Sequence, residues 1–170
     1  MDGDLLTKTI RYSCYRQETV MAKKRYFEDF AVGEVIKSRS HTVTEEEMRC
    51  YIKATDSAHP LHDDPEYCHA KGLKGIIIHG SMVLGLVDGF FAHDVCPEDV
   101  RTLHYGYDKV RWTGTVYPGD TIRSVFELTK MEERDQDFGV LTFDVHTYNQ
   151  RNELVLYTID KLHVERRKGN

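Results

Sequence analysis

Residues 80–93 read GSMVLGLVDGFFAH, and the fold turns on them. Met82, Val83, Leu84, Leu86, Val87, Phe90 and Phe91 are apolar nearly all round a helical wheel. That pattern predicts a helix from about Gly80 to Phe91 or His93, buried on every side. Gly85 and Gly89, four residues apart, would let neighbouring backbone approach closely. Beyond the helix the sequence changes character. Segments 101–116, 121–133, 138–149 and 153–166 are rich in Val, Ile, Thr, Tyr and Phe. Turn signals separate them at Tyr117-Pro118-Gly119-Asp120, Arg134-Asp135-Gln136-Asp137 and Gln150-Arg151-Asn152. Long strands joined by short turns pair antiparallel. One apolar helix ahead of such a sheet predicts an α+β domain whose sheet wraps around the helix.

Upstream, Tyr26, Phe27, Phe30 and Val32 can seat a short segment that Gly33 turns, and Val35 to Val43 reads as a strand. Thr44 and Glu47 have capping-box spacing. Met48, Tyr51 and Ile52 then fall at i, i+3 and i+4, so a short amphipathic helix should end near Thr55. Asp64-Pro65-Glu66 is a second helix start, with the stop expected at Gly72. The domain is placed at residues 26–166, with 167–170 as a tail. Residues 1–25 are expected to be a dispensable extension, because Met21-Ala22-Lys23-Lys24 reads like a second beginning.

A chain of 170 residues suggests one domain. The net charge of −5 disfavours a general nucleic-acid binder. No apolar run approaches the ~20 residues of a membrane span, and the N-terminus lacks a signal-peptide core. Cys14, Cys50, Cys68 and Cys96 are widely spaced with no CxxC. Reduced thiols in a cytoplasmic protein are expected.

The chemistry is concentrated in residues 56–80, DSAHPLHDDPEYCHAKGLKGIIIHG. His59, His62, Asp63, His69 and His79 lie close in sequence, and HxxH followed by Asp can ligate zinc. But His59 and His62 flank a proline in a loop, with neither an HExxH helix nor a thiolate pair, so no metal is expected there.

Together, Pro60-Leu61-His62-Asp63-Asp64, Ile77-Ile78-His79-Gly80, the apolar helix and the Tyr117-Pro118-Gly119-Asp120 turn resemble the MaoC-type, R-specific enoyl-CoA hydratases of the hot-dog fold. The resemblance covers roughly residues 26–166. It implies a single hot-dog domain and reversible hydration of a trans-2-enoyl thioester, carried by CoA or acyl carrier protein, to the (R)-3-hydroxyacyl thioester. By resemblance, His62 and Asp56 are the acid-base pair, and Gly80 offers a backbone N–H as an oxyanion hole at the helix N-terminus. Ser57, His59, His79 and Ser81 are substrate-binding candidates. There is one departure. The family's catalytic Asp falls on Ser57 and its Asn on His59, so either a one-residue bulge lets Asp56 take the acid position or that acid is absent.

Each of these residues also has a plainer reading. Asp56 can cap the preceding helix, Asp64 can be an N-cap, and His59 and His79 can brace the loop. The resemblance further implies a homodimer, which suits a domain with an open edge strand. Lys71, Lys74, Lys109 and Arg111 are candidates for the CoA phosphates. No cofactor is expected, since water addition needs no redox partner. Two other functions compete: a hot-dog thioesterase, and a non-catalytic acyl-binding subunit of a heteromeric dehydratase.

Overall fold

The computed structural model describes residues 24–168. Its elements in chain order are β1 (Val35–Thr42), α1 (Glu45–Thr55), α2 (Pro65–Ala70), α3 (Gly80–Phe90), β2 (Thr102–Trp112), β3 (Thr121–Glu133), β4 (Phe138–Tyr148) and β5 (Leu154–Glu165). Short 3-10 turns occupy Phe27–Asp29 and Pro60–His62, and a π turn at Phe91–Val95 continues α3. The strands form one sheet in the order β1-β3-β4-β5-β2. Every neighbouring pair is antiparallel.

Local signals set the helix starts. Thr44 Oγ1 accepts from the Glu47 N–H, and the Glu47 carboxylate accepts from the Thr44 N–H, closing the capping box of α1. Asp64 accepts from the Tyr67 N–H at 2.9 Å, and Pro65 occupies the first turn of α2, where no N–H is needed. A left-handed Gly72 (φ +78°) follows that helix.

The core lies between the concave face of the sheet and one face of α3. Met82, Val83, Val87 and Phe90 pack there with Ile122, Phe126, Leu128, Leu141, Phe143 and Leu156. At one end the Phe27 ring lies where a Cβ on residue 139 would sit, so glycine at that position is a packing requirement.

The expectation that α3 is buried on every side is corrected. Leu84 and Leu86 are half-buried and Gly85 is exposed. Among the described residues, neither Gly85 nor Gly89 has a neighbour within 4 Å of an added Cβ, so no described backbone uses the close approach they permit. A helical wheel counts apolar positions but does not say whether the same chain covers them all.

At the borders, Arg25 pairs with Glu34 at 2.8 Å and stacks on Phe30, and Arg167 pairs with Asp29 at 2.7 Å. The packed unit therefore reaches one residue beyond each end of the expected 26–166 domain. Of the expected dispensable extension at residues 1–25, residues 1–23 lie outside the described residues.

Candidate active site

Three segments converge on the N-terminus of α3: the end of α1, the Pro60–His62 turn and the Ile76–His79 strand-like approach. His62 is 9% exposed, and its Nδ1 lies 2.6 Å from the Ile77 carbonyl. A carbonyl can only accept, so Nδ1 carries a proton, and in the neutral ring Nε2 keeps its lone pair. The turn is tied to the same approach by the Ile77 N–H, which donates to the Leu61 carbonyl at 2.9 Å. Burial pulls the His62 pKa below its usual value, the Ile77 carbonyl opposes that pull, and the neighbouring His79 and His59 reinforce it. His62 is therefore a neutral imidazole at neutral pH, the state that a general base requires.

His79 stacks on His62 with ring centroids 3.5 Å apart. Its Nε2 donates to the Ser57 carbonyl at 2.9 Å and lies 3.3 Å from Ser57 Oγ. Ser57 Oγ also meets Thr55 Oγ1 at 2.6 Å. Ser57, His62 and His79 thus form one cluster.

Asp56 is arranged differently. It is the C-cap of α1 in the left-handed region (φ 52°, ψ 39°), and its side chain is exposed. No hydrogen bond joins it to His62 among the described residues. The carboxylate whose charge reaches His62 is that of Asp63.

His59 caps the Pro60–His62 turn, with Nδ1 accepting from the Leu61 N–H at 3.2 Å. Ser81 is exposed, and its Oγ accepts from the Tyr51 hydroxyl at 2.8 Å.

His79 is the N-cap residue of α3 and makes no side-chain cap bond. The N–H groups of the first turn have no intrahelical partner. An added Cβ on Gly80 would sit 2.7 Å from Trp112 Nε1, so residue 80 must be glycine for the indole to lie where it does. Beside it opens a 340 Å³ cleft lined by Ile77, Ile78, Gly80, Val83, Trp112 and Val155, among others. A cleft walled by Ile77, Ile78, Val83 and Val155, with Thr113 and Thr115 also in its wall, suits an acyl chain whose polar end reaches a helix N-terminus.

Tyr51, Ile77 and Trp112 escaped the reading of the sequence. Tyr51 was legible only as a core position of α1. Ile77 acts through its carbonyl, which side-chain chemistry does not reveal. Trp112, the only tryptophan in the chain, is 52% exposed, and that isolation was the available signal.

A profile described as MaoC like domain matches residues 29–149. Mesaconyl-CoA hydratase of Cereibacter sphaeroides is 30% identical over 145 residues, covering 84% of this chain and 42% of that protein. Beta-methylmalyl-CoA dehydratase of Chloroflexus aurantiacus is 27% identical over 147 residues, covering 85% of this chain and 41% of that one. This chain therefore spans less than half the length of these curated relatives. The MaoC-like dehydratase from Rhodospirillum rubrum superposes with a TM-score of 0.76 at 22% identity, over 86% of this chain and 100% of that one. With the family match over most of the chain and the sheet curved around α3, the protein belongs to the MaoC-like family and has its hot-dog fold.

Proposed function

We propose that this chain hydrates a trans-2-enoyl thioester, and dehydrates the (R)-3-hydroxyacyl thioester, at the N-terminus of α3. The observation that carries the reading is His62: a buried imidazole, held neutral, with Nδ1 spent on the Ile77 carbonyl and Nε2 left as the base. In this reading Nε2 takes a proton from water as the water oxygen bonds to the β carbon. The thioester oxygen, as it gains charge, is met by the first-turn N–H groups at Gly80. A donor of this kind is worth about 3 kcal/mol in the transition state. The acyl chain occupies the cleft under Trp112. CoA is the favoured carrier, because the named relatives act on CoA thioesters.

The proton taken by Nε2 is then delivered from the imidazolium to the α carbon, which balances the addition, and a carboxylate beside His62 would steady that transient positive charge. Asp56 is retained for that role, and reaching His62 requires the loop to turn about its left-handed residue. Pairing with a second copy fits the edge position of β2 among the described strands, where Leu103, Tyr105 and Trp112 are all more than half exposed.

The exposed position of Asp56 favours one second reading, a non-catalytic acyl-binding subunit that works beside an active partner. Assays of the wild type, Asp56→Asn and Ser57→Ala with enoyl-CoA separate the two. Turnover by the wild type with a loss of about 100-fold or more in Asp56→Asn supports the enzyme. Absence of turnover in the wild type across short, long and branched enoyl chains supports the subunit.

A further inference from the structure

The opposite end of α3 holds a second polar cluster that water addition does not use. Asp160 of β5 is fully buried. One of its oxygens receives His104 Nε2 of β2 at 2.7 Å, and the other has no hydrogen-bond partner among the described residues. Asp88, the one charged residue of α3, accepts from the Tyr107 hydroxyl. Ligand atoms of Asp88, His104 and Asp160 lie within 4.8 Å of one another.

The backbone is shaped for this gathering. His104 and Tyr107 are three apart and would face opposite sides of a regular strand. The β2–β5 register shifts between His104 and Gly106, and Gly106 takes φ +140°. That bulge turns both side chains to one side, with ring centroids 4.6 Å apart. Beside them lies a cavity of about 670 Å³, with Asp88, His104, Phe91, Cys96, Val100 and Leu162 in its wall.

Buried Asp160 and half-buried Asp88 share this space with the single, more exposed imidazole of His104, so carboxylates outnumber the basic groups in the cluster. A bare buried carboxylate oxygen is costly unless it meets a proton, a cation or a metal.

We propose that Asp88, His104 and Asp160 form a divalent-cation site of the zinc class, with a fourth position open to the cavity. One nitrogen and two carboxylate donors suit a first-row dication, and three protein ligands with one open position is a recurring zinc arrangement. Tyr107 then orients Asp88 from outside the ligand set, as outer hydrogen bonds to metal carboxylates do. The ion would pin the C-terminal half of α3 to β2 and β5.

The test is calorimetric titration of the EDTA-treated full chain with Zn²⁺, with Co²⁺ visible absorption as an independent readout. The expected result is one equivalent per chain, with affinity falling about 100-fold in Asp160→Asn and in His104→Gln. Circular dichroism checks that both variants fold, and His104→Gln, on the exposed edge strand, reads the site even where Asp160→Asn does not fold. No stoichiometric binding by the wild type would overturn the proposal, as would unchanged binding in His104→Gln. Loss of binding in His62→Ala instead would move the ion to the loop histidines and overturn it equally.

Discussion

The two ends of α3 solve opposite problems. At its N-terminus, the neutral imidazole of His62 stacks on His79 beside the first-turn N–H groups, so the site is poised to receive negative charge. At its C-terminal half, carboxylates outnumber the single imidazole, so the site is poised to receive positive charge. The first is built from residues 57–80, which are near neighbours in sequence. The second draws on positions 88, 104, 107 and 160, which only the sheet register brings together. One helix can carry both because its dipole and its lone Asp88 act at different ends.

The largest effect expected is at the N-terminal end. His62→Ala should lower kcat/KM for enoyl-CoA by about 10²–10⁴-fold, the range for a lost acid-base group. In the wild type, the acidic limb of kcat/KM should lie below the usual histidine value, because burial lowers the His62 pKa. An acidic limb at or above that value would remove the neutral-base argument.

The next prediction uses the opposed titrations of the two ends. Asp160 has a raised pKa, so its contribution to stability is present below its unfolded value of 3.8 and lost as pH rises through about 6. His62 has a lowered pKa, so its contribution is present above 6.5 and lost as pH falls. In metal-free buffer, Asp160→Asn should therefore gain about 1–3 kcal/mol relative to the wild type between about pH 4 and about pH 7. Denaturant melts at the two pH values measure it, and a difference independent of pH would break the comparison.

Smaller effects concern packing. Gly80→Ala should cost about 1 kcal/mol by displacing the Trp112 indole. The cost should vanish in a Trp112→Ala background, which a double-mutant cycle by thermal melting can show. Asp56→Val should cost about 1 kcal/mol because a β-branched residue resists the left-handed conformation, whereas Asp56→Gly should be tolerated.

Legibility follows the same division. The capping box at Thr44–Glu47, the Asp64-Pro65 start and the turn-bounded strands are local, so their physics is written in adjacent residues. The His62 and Gly80 pairing also survives in sequence, since one short segment spans it. The half-open face of α3 was not legible, because apolar residues look the same whether this chain or another molecule covers them. Asp56 was legible only as a choice between two roles, acid or helix cap: its φ of 52° makes it the cap of α1, and its part in the chemistry depends on where the loop carries its side chain. The second cluster depends on a bulge at Gly106, which no periodicity reveals. Its two faint signals were Asp88 inside an apolar helix and Asp160 inside a β-rich strand.

The central claim is that the chemistry resides on His62. The most direct measurement is loss of enoyl-thioester absorbance when purified protein is mixed with crotonyl-CoA and with a longer enoyl-CoA, run for the wild type, His62→Ala and His69→Ala. The account predicts hydration by the wild type and by His69→Ala, with the His62→Ala rate down by about 100-fold or more. Hydration at the wild-type rate by a folded His62→Ala protein would contradict it.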